Sequence, residues 1–530
     1  MTQPQPQLAL RPFQEEEAQR VSARKRCGII WHMGLGKTSL ASTVGGRAHL
    51  RKWLIIAPTN AFSVWRDDAP RWIKHAWPEA EVYVHLLDVS AEEREVIWNF
   101  QPPSDSDLTL NRVDLFVCTI ESFLNDWSKR IKVRVPGKLR PQTLLSLKAR
   151  PNYYFPQIVI FDEARKMRNR KSQAYQIVAK FIGYYNTEYF LPMTGTPGNQ
   201  PQHFYAMLSI IEPKLFSSFW KFVDAFHYVF DTPFGKEIGM VRNEEQWWKT
   251  LNRYCSVIKE TDPGVSKQLP ALQRLALEID LDADQKKAYR ALEKDMLHIT
   301  EGGEVVVAST TLSLITRLRQ ILICPRILGE SLDVGAAIRD FADTVDPDDL
   351  GHYVIFTPFT EAMRHFREYL TSPKGGKFEP DHVYSLFGGL TAGERDNILA
   401  EYKQPSSKSK AKVMLCSLLY AQAFSLEPAT KCFFAGFDWD PDNNRQAEAR
   451  LRRLTSEQQV PITAYYYNFP KYEAARRMHE IVVLKQERLQ ITIPDDLRKL
   501  FSKQEQEQES YEADIGRGSV RFPPTSELNP

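Results

Sequence analysis

WHMGLGKTSLA, residues 31–41, joins an apolar, strand-like run to a helix-like run through a loop that contains two glycines. The preceding run, CGIIW (27–31), is short and apolar, as expected of a buried strand. A glycine-containing loop between a strand and a helix can surround a phosphate chain with backbone N–H groups. We therefore predict that this loop binds the phosphates of a nucleotide.

The residues of this loop have separate predicted roles. The N–H groups of Gly34 through Thr38 would wrap the β-phosphate, Lys37 would neutralise the β and γ oxygens, and the Thr38 hydroxyl would ligate Mg²⁺. The alternative is a strand-to-helix turn with an exposed lysine. The residues expected to touch the nucleotide are Met33, Gly34, Leu35, Gly36, Lys37, Thr38 and Ser39.

Short apolar runs alternate with helical stretches on both sides of a central region, which indicates an α/β protein with parallel sheets flanked by helices. The first series of predicted strands is 27–31, 53–58, 114–119, 158–163 and 189–196. The second series is 353–359, 382–387, 413–418, 431–438 and 462–468.

These two series predict two lobes with helical elaboration between them. We assign 1–200 to the first lobe, 201–345 to helical elaboration and connector, and 346–492 to the second lobe. The polar tail 493–530 has too little apolar surface to fold alone and is predicted to be disordered.

The composition of the 530 residues, 43% hydrophobic and 25% charged, is that of a globular protein. No run approaches the roughly 18 apolar residues of a membrane span, and the N-terminus MTQPQPQLAL lacks the pattern of a secretory signal. Six scattered cysteines without a CxxC pair favour buried thiols over a zinc site. We expect a protein of a bacterial, phage or host cytoplasm, or of the nucleus in a eukaryote, with no membrane and no zinc.

The run IVIFDEAR (158–165) places two adjacent carboxylates at the end of a predicted buried strand. Parallel sheets carry their chemistry at such strand ends. Asp162 would hold Mg²⁺ through its water shell, and Glu163 would orient and deprotonate the attacking water. The alternative is a helix cap or a solvated strand end.

With GLGKT, DEAR and MTGTPGNQP in this order, the chain resembles the Swi/Snf family of helicase-like ATPases in helicase superfamily two, over roughly residues 8–470. The resemblance implies two RecA-like lobes with ATP and Mg²⁺ between them, and DNA as the track. Further matching segments are LRPFQ (10–14), IIAPTNAFSVWRDDAPRW (55–72), VIFTPFTEAM (354–363), FGGLTAGER (387–395) and FDWDPDNNRQAEARLRR (437–453).

The resemblance also implies roles in the first lobe. Gln14 would hydrogen-bond the adenine edge and Arg11 would help to place the base; the alternative for Gln14 is a surface helix residue. The residues predicted to couple nucleotide state to the other lobe are Thr194, Gly195 and Thr196, which could instead form a simple strand-to-loop transition.

In the second lobe, Gln446, Arg450 and Arg453 have the spacing i, i+4 and i+7 and would share one face of a helix. By the resemblance, Gln446 belongs to the coupling set and the two arginines reach the phosphates. Arg453 is the predicted arginine finger, and Arg450 would brace the phosphate or Glu163. The alternative is a solvated arginine-rich helix, and Arg452 is not expected to face the cleft.

Departures from the family pattern concern the packing of the phosphate loop, coupling and binding of the track. Trp31 and His32 stand where the family usually has acidic residues. Arg165 replaces the histidine of DEAH, which helps to connect hydrolysis with the other lobe. The segment CSLLYAQAFSLEPAT (416–430) lacks the glycines expected where the backbone approaches nucleic acid.

A basic segment between Trp127 and Arg150 contains no acidic residue and carries Lys129, Arg130, Lys132, Arg134, Lys138, Arg140, Lys148 and Arg150. We predict that its first six cations contact DNA phosphates. A solvated hairpin and a protein-binding segment are the alternatives.

Together these features predict an ATP-dependent translocase on double-stranded or branched DNA that remodels DNA or its bound proteins. A strand-separating DNA or RNA helicase is one alternative. A nucleotide-gated nucleic-acid-binding protein without efficient turnover is the other.

Overall fold

The computed structural model describes residues 8–100, 111–133, 142–150, 155–195, 198, 200–233, 235–301, 308–329, 331–373, 375–405, 410–420, 424–452, 460–473 and 475–476. The predictions made for Arg134, Lys138, Arg140, Thr196, Arg453 and the tail 493–530 lie outside these residues.

Within the described residues, the strands are β1 (Gly28–Trp31), β2 (Lys52–Ile56), β3 (Glu81–Leu86), β4 (Arg112–Cys118), β5 (Ser128–Val133), β6 (Gln142–Leu147), β7 (Ile158–Asp162), β8 (Tyr189–Thr194), β9 (His227–Thr232), β10 (Gly235–Val241), β11 (Cys255–Ile258), β12 (Leu272–Glu278), β13 (His352–Thr357), β14 (Val383–Leu386), β15 (Lys412–Ser417), β16 (Lys431–Phe434) and β17 (Ile462–Asn468).

The helices in the same part of the chain are α1 (Pro12–Arg24), α2 (Lys37–Arg47), α3 (Phe62–Ala76), α4 (Ala91–Trp98), α5 (Ile120–Trp127), α6 (Gln173–Tyr184), α7 (Tyr205–Ile211), α8 (Phe219–Phe226), α9 (Glu244–Tyr254), α10 (Pro263–Ser266), α11 (Ala283–Glu301), α12 (Ala308–Ile323), α13 (Ala336–Thr344), α14 (Thr360–Leu370), α15 (Ala392–Lys403) and α16 (Pro441–Glu448).

The first lobe is built on a parallel sheet with the strand order β11-β1-β8-β7-β2-β4-β3. The five predicted strands of the first series are β1, β2, β4, β7 and β8. Successive residues of β2 face opposite sides of this sheet. Leu54 and Ile56 pack in one apolar cluster, and Trp53 and Ile55 pack in another. Both faces are therefore covered, which explains why these strands are continuous apolar runs.

The second lobe repeats this architecture with the parallel order β12-β17-β16-β13-β15-β14. Its last five strands are those of the second predicted series. Along β13, Tyr353 and Ile355 pack on one face, and Val354 and Phe356 pack on the other. The predicted fold class, two α/β lobes with parallel sheets flanked by helices, is confirmed.

The central region 201–345 contributes a strand to each sheet as well as helices. β11 pairs with β1 at the edge of the first sheet, and β12 pairs with β17 at the edge of the second. Residues 259–271, which we call the linker, connect β11 to β12. Val265 and Leu269 of the linker are buried in a core cluster of the first lobe. The linker is therefore packed on the first lobe.

All six cysteines are buried free thiols. None of the helices in the described ranges is long and apolar enough to cross a membrane.

Two helical glycines allow a matched test of packing. A Cβ added to Gly45 of α2 would overlap the ring of Trp53, which is fully buried, whereas nothing lies within 4 Å of a Cβ added to Gly183 of α6. We expect Gly45→Ala to lower the free energy of unfolding by about 1–3 kcal/mol through overpacking. Gly183→Ala should raise it by about 0.5–1 kcal/mol through helix propensity. Denaturant unfolding measures both, and equal effects would contradict the packing of α2 on β2.

Candidate nucleotide site

The predicted phosphate loop spans the gap between β1, which ends at Trp31, and α2, which begins at Lys37. Gly34 and Gly36 have φ of 76° and 79°, in the left-handed region that favours glycine. The N–H groups in the first turn of α2 have no acceptor within the helix. These N–H groups and the positive end of the helix dipole suit an anion, so the loop fits the phosphates for which it was predicted.

Gln14 holds this loop in place. Its Nε2 donates to the Leu35 carbonyl at 2.8 Å, and its Oε1 accepts from the Arg11 N–H at 2.8 Å. A Cβ on Gly36 would overlap the Gln14 amide. Gln14 is buried, so it is not the surface residue of the alternative interpretation. Its contact with adenine stays a prediction. The Arg11 guanidinium reaches Gln268 of the linker at 3.3 Å.

The Lys37 side chain contacts the residues at the start of the loop. Its Nζ donates to the carbonyls of Trp31 at 3.1 Å and His32 at 3.4 Å. Trp31 is fully buried, and its indole N–H donates to Ser256 on β11 at 2.6 Å. The bulky side chain at this position therefore packs into the sheet. Thr38 follows Lys37 in the first turn of α2, where its hydroxyl oxygen is a suitable Mg²⁺ ligand.

Asp162 and Glu163 lie where β7 ends. The Trp65 indole N–H donates to Asp162 Oδ2 at 3.2 Å, and the Glu163 N–H donates to Asp162 Oδ1 at 3.0 Å. Burial raises the pKa of Asp162, and the charge of Lys37 opposes this shift. Burial and the neighbouring Asp162 raise the pKa of Glu163. Both side chains are partly buried, and their surroundings disfavour the charged carboxylates, so the pair favours bound cations and differs from a fully solvated strand end. Its carboxylate oxygens suit Mg²⁺.

The predicted coupling residues adjoin the loop. β8 lies between β1 and β7, and Thr194 at its end is buried and in register with Ile30 of β1. A Cβ on Gly195 would lie 2.9 Å from Met33 Cγ. The close approach of Gly195 to Met33 connects the end of β8 to the phosphate loop.

Arg450 brings the second lobe to this site. Its guanidinium lies 4.0 Å from Met33 Sδ, and its charge opposes the rise in the pKa values of Asp162 and Glu163. The helix predicted to carry Arg450 is shorter than expected, because α16 ends at Glu448. Arg450 is in the following turn, where its N–H donates to the Ala447 carbonyl.

Gln446 and Arg450 are nevertheless in contact. The Arg450 Nε donates to the Gln446 carbonyl at 3.1 Å, and the Gln446 side chain is buried. The prediction that a helix runs through both residues is wrong, since hydrogen bonds from residue i to i−3 tighten the chain after Glu448. Arg450 still reaches the phosphate loop across the cleft.

Two further arginines join the lobes. Arg165, the departure from DEAH, forms an ion pair with Asp440 of the second lobe. Arg452, which was not expected to face the cleft, forms an ion pair with Glu260 of the linker at 2.6 Å. The sequence contained no local signal for either pair, because the partners are far apart along the chain.

The basic segment forms an antiparallel hairpin of β5 and β6. Lys129, Arg130 and Lys132 are exposed on β5. Arg150 has a different role, because it is buried and makes two contacts with Glu95, at 2.6 and 2.8 Å. Arg150 therefore attaches the end of the basic segment to α4, whereas the cations on β5 are exposed to solvent.

The fold and this cleft define a two-lobed protein with a phosphate-type loop, in which both lobes contribute to one candidate nucleotide site. A family model described as the SNF2-related domain matches residues 17–327. The chain belongs to this family, and the predicted Swi/Snf resemblance and enzyme class, an ATPase, are confirmed.

Two relatives are similar in sequence to this chain over most of its length. Chromodomain-helicase-DNA-binding protein 8 of Xenopus tropicalis is 24% identical over 482 residues, which cover 83% of this chain and 20% of that protein. Chromodomain-helicase-DNA-binding protein 6 of Homo sapiens is 23% identical over 483 residues, 83% of this chain and 16% of that protein. The chain thus spans a fifth or less of the length of these relatives.

A solved structure is also similar. The Sulfolobus solfataricus SWI2/SNF2 ATPase core in complex with dsDNA is 17% identical, and the match covers 98% of this chain and 100% of that chain. The TM-score is 0.37, which is too low to compare the two structures in detail.

Proposed function

We propose that this chain is a DNA-dependent ATPase that couples hydrolysis to movement along duplex DNA and thereby remodels DNA or protein–DNA complexes. The observation that carries the proposal is the approach of Arg450, from the second lobe, to Met33 in the phosphate loop of the first. A nucleotide site with residues from both lobes makes turnover depend on how the lobes are placed. Movement of the lobes can then be tied to hydrolysis.

The chain's own residues supply the chemistry. The loop N–H groups and Lys37 bind and neutralise the phosphates, and Gln14 keeps the loop in shape. Glu163 positions the attacking water and takes its proton. Mg²⁺, held by Thr38 and Asp162, would neutralise charge on the β and γ oxygens.

Arginine would complete the site from the second lobe. Arg450 stands beside the acidic pair and would brace the γ-phosphate or Glu163, with Arg453 as the finger. An arginine finger contributes roughly 10³- to 10⁵-fold to the rate of such reactions. Hydrolysis would therefore be slow until the lobes bring these arginines into place.

DNA as the track is supported by family membership and by the relatives, whose names include helicase and DNA-binding. The exposed cations of the β5–β6 hairpin supply positive charge on the first lobe for phosphate contacts that carry no sequence information. DNA stimulation would arise when the track holds both lobes in the productive arrangement.

The deciding experiment measures ATPase rate without nucleic acid and with single-stranded DNA, duplex DNA, branched DNA and RNA. We expect the highest rate with duplex or branched DNA, together with displacement of a triplex strand. Duplex unwinding would favour the strand-separating helicase. ATP binding without turnover in every condition would favour the nucleotide-gated binding protein.

Glu163→Gln should keep ATP bound because it preserves the shape of the side chain while removing the base. We expect kcat to fall by about 10²-fold or more, the usual contribution of general base catalysis. Lys37→Ala should weaken ATP binding as well, because it removes the phosphate-neutralising charge. Steady-state kinetics and ATP-binding titration separate the two variants, and Glu188→Gln, at an exposed carboxylate, is the control. Parent-like turnover in Glu163→Gln would assign the base to another residue.

Replacing Lys129, Arg130 and Lys132 with Ala should weaken DNA binding regardless of sequence. Each lost phosphate contact flattens the slope of log affinity against log salt by about 0.9 for duplex DNA, so three contacts remove nearly 3 units. ATPase without DNA should persist. The matched control removes the same charge at exposed positions on α3, after α7 and on α9, namely Lys74, Lys214 and Lys249. Equal slopes in the parent and the hairpin variant would show that DNA follows another path.

A further inference from the structure

Arg452 contacts both ends of the linker. Its Nη1 is 2.6 Å from Glu260 Oε2, and its Nε donates to the Pro270 carbonyl at 2.7 Å. Glu260 follows β11 of the first sheet, and Pro270 precedes β12 of the second. One guanidinium therefore bridges the points at which the chain leaves one lobe and enters the other. Each side chain is 15% exposed, so water weakens the ion pair little.

Glu260 also faces the nucleotide loop. Its Oε2 lies 3.7 Å from His32 Nδ1, and Lys37 donates to the His32 carbonyl. The His32 N–H donates to the Ile258 carbonyl at 2.9 Å, which fixes the start of the loop to β11. Burial lowers the pKa of His32 to about 4, so the ring is neutral near pH 7. The residue before the phosphate loop is thus fixed against the start of the linker.

The turn that carries Arg452 is attached to the second sheet. Arg274 of β12 makes two contacts with Glu448, at 2.7 and 2.8 Å, and both side chains are buried. The Tyr466 hydroxyl donates to the same carboxylate. Glu448 is two residues before Arg450 and four before Arg452. The two arginines are therefore on one short segment, and a displacement of Arg452 displaces Arg450.

We infer that Arg452 and Glu260 form a clasp that positions Arg450 against the nucleotide site by fixing the geometry of the linker. This inference rests on the proposed function, because it gives the clasp its role in DNA-stimulated turnover. Arg452 is a positioning residue, since it reaches the site through Glu260, His32 and the turn it shares with Arg450. A rotation of the lobes that separates the two ends of the linker must break one of its two bonds.

The test combines enzyme kinetics with a distance measurement. Arg452→Ala should lower the ratio of DNA-stimulated to basal ATPase by about ten- to hundredfold, the loss expected for a hydrogen bond to a charged group. This ratio does not depend on the fraction of folded protein. Arg452→Lys should restore part of it. Glu260→Ala should act similarly, and the double variant should be no worse than the worse single one, because the residues act as a pair.

The distance measurement does not require catalysis. Fluorophores at Tyr184→Cys in the first lobe and Leu350→Cys in the second, both at exposed positions, report the separation of the lobes. We expect Arg452→Ala to broaden the distribution of this distance. Asp396→Asn is the control, because it weakens the Arg66–Asp396 pair between the lobes, at 3.7 Å, without touching the linker.

The outcomes separate the inference from the proposed function. A parent protein without DNA-stimulated ATPase would refute the proposed function, while a broadened distance distribution in Arg452→Ala would still support the clasp. An unchanged distribution and an unchanged stimulation ratio would overturn the clasp and leave the proposed function intact. An equal loss of stimulation in Asp396→Asn would also overturn it, since any contact between the lobes would then suffice.

Discussion

The site depends on the partial burial of two adjacent carboxylates, Asp162 and Glu163, at the end of β7. Burial raises the pKa of both groups, and the charge of Asp162 raises the pKa of Glu163 further. The pair can remain ionised only with positive charge close by. Lys37 supplies it from the first lobe and Arg450 from the second. Because one of these cations belongs to the other lobe, the electrostatics of the site depend on the arrangement of the lobes. A movement of one lobe relative to the other would therefore change the electrostatics of this site.

The contacts between the lobes differ in strength. In the Arg165–Asp440 pair, about a third of each side chain is exposed. Exposed ion pairs contribute about 0–1 kcal/mol, so this contact can form and break readily. The Arg452–Glu260 pair is more buried and has an added bond to Pro270. The contact beside the linker is therefore the stronger of the two.

Strands that are buried on both faces could be predicted from the sequence, because a continuous apolar run is a strong indication of a buried strand. The sequence was insufficient for three of the four edge strands of the two lobe sheets, β3, β11 and β12, whereas the edge strand β14 was predicted. β3 begins with exposed Glu81 and alternates in exposure over its first four residues, and β12 carries buried Arg274, whose partner Glu448 is distant in sequence. The phosphate loop and the acidic pair were predictable because each is a local motif. The end of α16 before Arg450 and the partner of Arg452 were not, because long-range contacts determine them.

The basic hairpin shows why a count of charges does not define a binding surface. Arg150 belongs to the same run of cations as Lys129, yet it is buried against Glu95 and lies 5.0 Å from the centre of the Trp127 ring. These contacts contribute to the packing of α4 and α5. The Arg150 guanidinium is buried and therefore out of reach of a phosphate backbone, whereas the exposed lysines on β5 are accessible to one. Burial therefore gives the cations of this basic segment two different roles. Arg150 packs against α4 and α5, and the exposed cations of β5 are suited to contact a phosphate backbone.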